Sequence, residues 1–391
     1  MTRKTSLGML TALLVTMGLT VCTQSQPVEG SWIGEFRTHE WNTVSSHVWL
    51  SIKARAGEER IGYSFTVPLN DLEGMAIAPG HRGASRVQFM LAREAGHLTF
   101  EGDFRDDTGA GSFRFEASET YLRRLEHLGY SRLSIDQLFS LAIHDVTTQF
   151  IEELKELGYA DLSVDKLVSL KIHGATPAFI RELQALGYRG LSVDKLVEMR
   201  IHGVKPEFVR ALSDLGYTNV SVDKLIEMRI HGVSSEFIRD VRRRGFQSLA
   251  IDELITMRIH GVDTDFLLDI ETLGYSDLTS DDLVSMRIHG VTPAYIREIE
   301  GLGYDHPSPR RLVELRIHGV SPAYVRELSG LGYEHIPLEK LVEMRIHGVN
   351  IDYIRSLQEQ GYTNIAVDRL IDMRIHGVSS EFVKAIKDDS R

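Results

Sequence analysis

One sequence unit repeats without interruption over most of this 391-residue chain, and its period decides the architecture. Histidine recurs at every twenty-ninth position from residue 144 onward, and the pair Gly129-Tyr130 recurs with the same period, with Phe246 as the one aromatic exchange. The repeated histidines are His144, His173, His202, His231, His260, His289, His318, His347 and His376. A fixed period of this length is typical of stacked helical repeats, so we expect an α-solenoid over residues 118–391.

One repeat, residues 192–216, predicts a pair of short helices. Ser192 is a favourable N-cap residue. The apolar residues that follow it at helical spacing on one predicted face are Val193, Leu196, Val197 and Ile201. Gly203 suits the left-handed position after the first helix, and Pro206 suits the start of the second. Helices of about ten residues are marginal alone, so each repeat must bury its apolar face against its neighbours.

The array is predicted to begin half a repeat early. An aromatic residue recurs once per repeat from Tyr121 to Phe382, and Tyr121 precedes the first histidine. We therefore expect a lone second helix that packs on the preceding domain, followed by nine complete repeats. The charged segment 384–391 suits an exposed end.

Residues 27–117 have the alternating pattern of a β domain. Apolar and polar residues alternate in segments 47–52 and 62–67, and glycine-bearing turns separate such segments. Segments 98–104 and 111–115 form a predicted hairpin across the turn at Asp106-Asp107. About six strands fit, which predicts a small antiparallel β sandwich or a partly closed barrel. The whole chain is thus expected to be an α+β multidomain protein.

The N-terminal segment, residues 1–22, resembles an export signal. A short basic start precedes the apolar run 7–21, which suits a signal-peptide core better than a bilayer span. Cys22, the only cysteine, ends a run, Leu19-Thr20-Val21-Cys22, that resembles a bacterial lipobox, although Val21 stands where a small residue is usual. A lipoprotein acylated at Cys22 and an ordinary cleaved secreted protein both remain open. Either places the protein in the periplasm, at the outer membrane or outside the cell.

Charge and cysteine content narrow the classes of partner. The formal charge is −11, and removing the segment 1–22, which carries two basic and no acidic side chains, makes it −13. An acidic protein repels phosphate backbones, so nucleic acid is not an expected partner. A lone cysteine excludes an internal disulfide framework, so packing alone must stabilise the fold.

The histidine column suggests a metal site, but its spacing argues against one. Equivalent side chains of adjacent repeats should lie about 9 Å apart, whereas two imidazole nitrogens on one zinc ion lie within about 4 Å. A structural role at the helix end is the expected one, because histidine there can bond unpaired carbonyl groups. Sensing of pH by stacked imidazoles is the alternative.

Basic residues also keep the period. One column contains Lys171, Arg200, Arg229, Arg258, Arg287, Arg316, Arg345 and Arg374, and another contains Arg181, Arg210, Arg239, Arg297, Arg326, Arg355 and Lys384. Both are predicted to lie on a solvated face with weak ion pairs, or to form a ligand-binding stripe. In one repeat, Arg239, Arg242, Arg243 and Arg244 replace the usual mixed charges with a basic cluster. This cluster is a candidate binding patch for a lipid headgroup or a partner carboxylate. The alternative is neutral sequence variation on an exposed helix.

No catalytic signature accompanies these columns. The sequence contains no His-Glu-x-x-His, Gly-x-Ser-x-Gly or phosphate-loop motif, and no cofactor or metal is expected. A carboxylate pair among Asp103, Asp106 and Asp107 is the one hydrolytic alternative, and these residues more simply fill a turn. The pattern therefore predicts a protein that is not an enzyme.

The repeat LSVDKLVEMRIHGVKPEFVRALSDLGY resembles repeats of exported bacterial proteins, including the tails of BlaR/MecR-type antirepressor-like membrane metallopeptidases. The β segment that contains IGYSFTVPLNDLEG and VQFMLAREAGHLTFEGDFRDDTGAGSFRF is similar to the segment that precedes those repeats. The chain lacks the multi-span region and the zinc motif of that family, so no protease activity carries over. The resemblance implies an exported sensor or interaction region.

Three functions remain open at this point. The first is a protein-interaction scaffold of the cell envelope, with an unidentified protein partner. The second is a small-ligand-binding protein, because Gly30-Ser31-Trp32 resembles the Gly-x-Trp of lipocalin-like barrels, with Trp41 and Trp49 nearby. The third is a cell-envelope hydrolase, for which no catalytic constellation can be assembled.

Overall fold

The computed structural model describes residues 27–36, 47–56 and 59–389, and within them seven β-strands precede nineteen α-helices. This arrangement has the predicted α+β class. The chain divides into two compact units. The N-terminal unit runs to residue 181 and includes residues 190–197, and the C-terminal unit comprises residues 182–189 and 198–391. The β-strands and the helices that directly follow them in the chain thus belong to one unit.

The strands form one antiparallel sheet. They are β1 (Val28–Phe36), β2 (His47–Ala56), β3 (Glu59–Pro68), β4 (Leu72–Glu73), β5 (Ala84–Arg93), β6 (Gly96–Arg105) and β7 (Thr108–Ala117), with a 3-10 helix at Leu69–Asp71. The strand order is β3-β2-β1-β7-β6-β5-β4, and the sheet curls into a half-barrel. The alternative of a sandwich was wrong, because β1 pairs with both β2 and β7 and so joins all the strands into a single sheet.

The predicted hairpin is confirmed. Strands β6 and β7 pair from Gly96 opposite Ala117 to Arg105 opposite Thr108, and Asp106 in the turn has a left-handed φ of 55°. One side of the sheet carries the aromatic core, in which the rings of Phe89 and Phe100 stack 4.8 Å apart. Alternation along antiparallel strands places these rings on one face and charged side chains on the other.

The helices alternate between two positions in the repeat. The first helices are α2 (Ile135–Ile143), α4 (Val164–Ile172), α6 (Val193–Ile201), α8 (Val222–Ile230), α10 (Ile251–Ile259), α12 (Ser280–Ile288), α14 (Pro309–Ile317), α16 (Leu338–Ile346) and α18 (Val367–Ile375). The second helices are α1 (Glu119–His127), α3 (Thr148–Glu156), α5 (Pro177–Ala185), α7 (Pro206–Asp214), α9 (Ser235–Arg243), α11 (Thr264–Thr272), α13 (Pro293–Glu300), α15 (Pro322–Gly330), α17 (Ile351–Glu359) and α19 (Ser380–Asp389). Helix α1 is the expected lone second helix.

Local capping explains why each helix is so short. In α8 the Ser221 hydroxyl accepts a hydrogen bond from the backbone N–H of Lys224. The helix ends at Ile230 with His231 as its C-cap, and Gly232 follows in the left-handed region with φ of 72°. The backbone N–H of Val233 then donates to the Met228 carbonyl at 2.8 Å, which completes a Schellman motif. Gly203 has the same left-handed conformation, as predicted.

The predicted apolar face of α6 is only partly correct. Leu196 and Val197 are buried, but Ile201 is 57% exposed. Met199, which the spacing did not include, is fully buried. At about 100° per residue, Met199 and Val197 mark the two edges of the buried face, and Ile201 lies about 40° beyond Val197. The last residue of the helix therefore points to solvent.

The opening helices contact the β domain within the N-terminal unit, and α1, the helix expected to do so, pairs Arg124 with Glu94 at 3.2 Å. The ring of Phe139 in α2 lies 4.4 Å from that of Phe115 and 6.0 Å from that of Phe113. The carboxylate of Glu94, in the turn between β5 and β6, accepts hydrogen bonds from the backbone N–H and the hydroxyl of Thr148, at 2.8 and 2.6 Å. A carboxylate at this place caps α3 and complements the positive end of its dipole.

At the other end of the array, the segment 384–391 has described side chains only as far as residue 386. Lys384 is exposed, but Phe382, the last member of the aromatic column, is also 54% exposed. Earlier members such as Tyr324 are at most 9% exposed. The final helix therefore presents apolar as well as charged side chains to solvent.

Candidate functional site

An exposed isoleucine ends the first helix of every repeat in the C-terminal unit. Between 52% and 57% of the surface of each is accessible to solvent. We call this set the isoleucine stripe: Ile201, Ile230, Ile259, Ile288, Ile317, Ile346 and Ile375. Ile172 in the N-terminal unit is equally exposed, at 56%, whereas Ile143 in the first complete repeat is buried. Sequence spacing missed the stripe because it assigned Ile201 to the core.

The basic residue before seven of these eight exposed isoleucines stacks on an aromatic ring of the preceding repeat. The guanidinium carbon of Arg287 lies 4.8 Å from the ring centre of Phe266, and that of Arg345 lies 5.0 Å from that of Tyr324. The same contact occurs for Lys171, Arg229, Arg258, Arg316 and Arg374. Most of these side chains are half-buried, so the prediction of a solvated column was wrong: they bind one repeat to the next through cation–π contacts.

These basic side chains also lie at the end of the preceding first helix. The Nε atoms of Arg316 and Arg345 point at the carbonyl oxygens of His289 and His318, each at 3.4 Å. A cation at a helix C-terminus complements the negative end of the helix dipole. The sequence analysis did not predict that these basic side chains lie at helix ends. The constant separation along the sequence between each basic residue and the aromatic residue that it contacts could have indicated that the two are paired.

Two sets of tyrosines bond to backbone carbonyl groups of the next repeat. The hydroxyl of Tyr304 donates to the Ile336 carbonyl at 2.7 Å, and equivalent bonds are made by Tyr159, Tyr188, Tyr217 and Tyr275. In the aromatic column, Tyr324 donates to the carbonyl of Val349 at 2.6 Å. Burial raises the pKa of Tyr324 to about 12, which keeps this donor protonated.

A second basic column forms ion pairs between successive second helices, and we call this set the arginine ladder. Each rung joins a basic residue to an acidic residue of the preceding second helix, at a constant offset along the sequence. The rungs are Arg181–Glu153, Arg210–Glu182, Arg297–Asp269, Arg326–Glu298 and Arg355–Glu327. The expectation of ion pairs is confirmed for this column, and such exposed pairs each contribute about 0.2–1 kcal/mol.

The four arginines of the predicted basic patch do not act as one surface. Arg242 donates to the Leu215 carbonyl at 2.5 Å and stacks 5.2 Å from the Tyr217 ring, so it belongs to the interface with the preceding repeat. Arg244 is largely buried and pairs with Glu271 at 3.2 Å. Arg243 is exposed and pairs with Asp240 in its own helix. Arg239 is the member that faces solvent without a strong partner.

The histidine column occupies the predicted helix ends. His231, His289 and His347 are C-cap residues of their helices. A bond from the ring to a carbonyl group is made by His376, whose Nδ1 lies 2.8 Å from the oxygen of Asp372. Burial lowers the pKa of His144. Within the described part of the chain, no group of three or more histidine, cysteine, aspartate or glutamate side chains is placed to hold a metal ion.

Two of the three carboxylates considered for hydrolysis accept hydrogen bonds from backbone amides. Asp106 accepts from the N–H of Gly83 at 3.0 Å, and Asp107 accepts from that of Gly80 at 2.9 Å. These bonds fix the loop before β5, which is the turn role expected for them. The possible lipidation site Cys22 and Trp41 lie outside the described residues.

The inner side of the sheet is filled by aromatic side chains. Trp32 is 1% exposed, contacts Phe89 and Phe104 at centroid distances of 5.4 and 5.6 Å, and donates its indole N–H to the Glu101 carbonyl. The Gly-x-Trp match therefore marks a packed core, which argues against a ligand bound among these strands.

Comparison with known proteins adds no assignment. Neither the models of known protein families nor the curated proteins include a match to this chain. Among the described residues, no helix is long and apolar enough to cross a membrane.

Proposed function

We propose that this protein is a non-catalytic scaffold that binds an extended protein partner along the isoleucine stripe. The carrying observation is that seven repeats place an isoleucine at the same, half-exposed position. The proposal takes the repeats to stack as an α-solenoid, in which residues at one position form a continuous row. First helices contact first helices, and second contact second, in successive repeats of the C-terminal unit, which supports this stacking.

Variation within the chain supports a selected role for the stripe. Other partly exposed positions on the first helices differ between repeats: residues 198, 256, 285 and 372 occupy one position and are Glu, Thr, Ser and Asp. The buried positions stay apolar because packing demands it. The isoleucine is both exposed and constant, which packing within the chain does not explain.

The size of the stripe indicates what kind of partner it fits. Full burial of an isoleucine contributes about 1.5–3 kcal/mol, so covering the exposed half of one gives about 1 kcal/mol. Seven together would give roughly 5–10 kcal/mol before the costs of association, whereas a micromolar complex needs about 8 kcal/mol. A partner must therefore span several repeats, and an elongated polypeptide fits better than a small molecule.

The proposed location is the bacterial cell envelope. Its support is the signal-like sequence of residues 1–22, whose cysteine would carry a lipid anchor if the lipobox resemblance holds. The resemblance to repeat tails of exported sensor proteins points the same way. In this proposal the partner is an envelope protein.

The test substitutes three adjacent members of the stripe: Ile259→Gln, Ile288→Gln and Ile317→Gln in one chain. Glutamine keeps helix propensity and removes the apolar surface, so the fold should persist. Affinity-tagged wild-type and variant chains would be compared for capture of proteins from an envelope extract. We expect a specific partner with the wild type and at least a tenfold loss with the triple variant, since about 3 kcal/mol is removed.

A matched control places glutamine at three exposed positions on second helices: Asp265→Gln, Ala294→Gln and Ala323→Gln. This chain should capture the partner as the wild type does. Equal capture by the isoleucine variant and the wild type, with circular dichroism showing both folded, would remove the stripe as the binding surface.

A further inference from the structure

The arginine ladder has two defective rungs next to each other, in the middle of the C-terminal unit. Ala211 stands where an acidic residue would pair with Arg239, and Leu268 stands where a basic residue would pair with Asp240. The rungs on either side, Arg210–Glu182 and Arg297–Asp269, are intact. The defects therefore form one local site on successive second helices α7, α9 and α11.

Arg239 is left with weak partners in its own helix. Its Nη1 lies 3.7 Å from the carboxylate of Glu236 and 3.5 Å from the hydroxyl of Ser235, and half of the side chain is exposed. Each intact rung neutralises its arginine with a carboxylate from the neighbouring repeat. At Arg239 the methyl group of Ala211 takes that place, so the guanidinium can accept a carboxylate from outside.

Leu268 supplies an apolar surface at the equivalent position of the next second helix, α11. It is 51% exposed, at a position that arginine occupies in the repeats before and after it. Asp240, which would have paired with that position, pairs with Arg243 instead. A weakly paired cation and an exposed leucine at equivalent positions of successive second helices are complementary to a segment that carries both a carboxylate and an apolar side chain.

We propose that Arg239 and Leu268 form a docking site for an acidic, apolar polypeptide segment. The site lies within the second helices α9 and α11, whereas the isoleucine stripe lies at the ends of the first helices, so the two surfaces have no residue in common. This proposal stands without the isoleucine stripe. It also refines the basic patch: Arg242 and Arg244 are excluded from the site because they bind neighbouring repeats.

The test repairs the ladder. The double variant Ala211→Glu, Leu268→Arg restores both rungs in the form that the neighbouring repeats show, so it should fold at least as well as the wild type. The probe is a short fluorescein-labelled peptide of alternating glutamate and leucine, followed by fluorescence anisotropy at low salt. We expect the wild type to bind it and the repaired chain to bind at least tenfold more weakly, because a charge-assisted hydrogen bond and an apolar contact are lost.

Two controls make the result specific. Ser356→Glu fills the equivalent vacant acidic position opposite Lys384, and should leave peptide binding unchanged. The triple isoleucine variant should also bind the peptide normally, which separates this site from the stripe. A peptide with glutamine in place of glutamate should bind the wild type more weakly.

Three results would overturn the proposal: no binding of the glutamate–leucine peptide by the wild type, equal binding by the repaired chain, or equal binding of the glutamine peptide. A loss of binding in the Ser356→Glu control would also overturn it, because the effect would then follow total charge rather than Arg239.

Discussion

At the scale of single residues, the repeats are joined by side chains that reach a fixed distance along the sequence. The Tyr304 hydroxyl bonds to a carbonyl group of the following repeat, and the Arg287 side chain stacks on a ring of the preceding one. Each such contact satisfies a backbone group or a charge that would otherwise be poorly solvated at the interface between repeats. Stability therefore depends on a few specific polar contacts as well as on the buried columns.

Tyr304→Phe should destabilise the protein by about 1 kcal/mol, because the carbonyl of Ile336 loses its donor. The chain contains the reverse case at Phe246, the one phenylalanine in this column, where Leu278 supplies the equivalent carbonyl group. Phe246→Tyr should add the missing bond and raise stability by a similar amount. Urea unfolding followed by circular dichroism measures both changes. Equal midpoints for wild type and Tyr304→Phe would show that the hydroxyl adds nothing.

At the scale of helices and strands, the sequence predicted what local chemistry determines. Serine caps and glycine C′ residues placed the helix ends, and alternation placed the hairpin of β6 and β7. Contacts between repeats were harder to predict, because the stacking of Arg287 on Phe266 depends on how neighbouring helices sit. Ile201 was misplaced for the same reason: helical period alone does not fix the centre of the buried face.

The candidate site at Arg239 was also predicted only in part from the sequence. The sequence identified Arg239 as unusual, but it grouped it with Arg242, which the structure places against Leu215 and Tyr217. The sequence did not single out Leu268. Its position becomes unusual only once the structure shows which two residues form a ladder rung, because Leu268 then stands where a basic residue is expected. The two substituted positions of the arginine ladder could therefore be recognised only after the structure had shown that the column forms ion pairs.

Glu94→Ala tests the connection between the sheet and the opening helices α1 and α3. The substitution removes the cap of α3 at Thr148 and the 3.2 Å ion pair with Arg124, and should destabilise this connection by about 1–2 kcal/mol. Hydrogen exchange should accelerate for amides of α1 and α3 and change little in α13 and α15. Glu73→Ala, at an exposed position of β4, is the control. Thr147 also caps α3, because its hydroxyl accepts a hydrogen bond from the backbone N–H of Phe150, and unchanged exchange in α3 would mean that this cap alone is sufficient.

At the scale of the whole molecule, the proposal that the repeats stack as an α-solenoid predicts that the chain tolerates the loss of one repeat. Deleting residues 277–305 joins Ser276 to His306 in register, and the acid Asp269 then faces Arg326 in place of Arg297. Because each repeat contacts mainly its neighbours, helicity per residue should stay the same. Deleting residues 277–291 removes α12 alone and should cost helicity in adjacent repeats as well. Circular dichroism of the two chains distinguishes these outcomes, and equal losses would contradict nearest-neighbour stacking.

The fixed offsets between contacting residues also constrain how the gene can change. A crossover between misaligned repeats that adds or removes one full period of codons keeps the sequence offsets of the tyrosine bonds, cation–π contacts and ladder rungs, wherever within the repeat it falls. Breakpoints therefore need not coincide with the ends of helices. An insertion of any other length changes the offset of each contact that spans it, so only a change by whole repeats keeps all of these offsets.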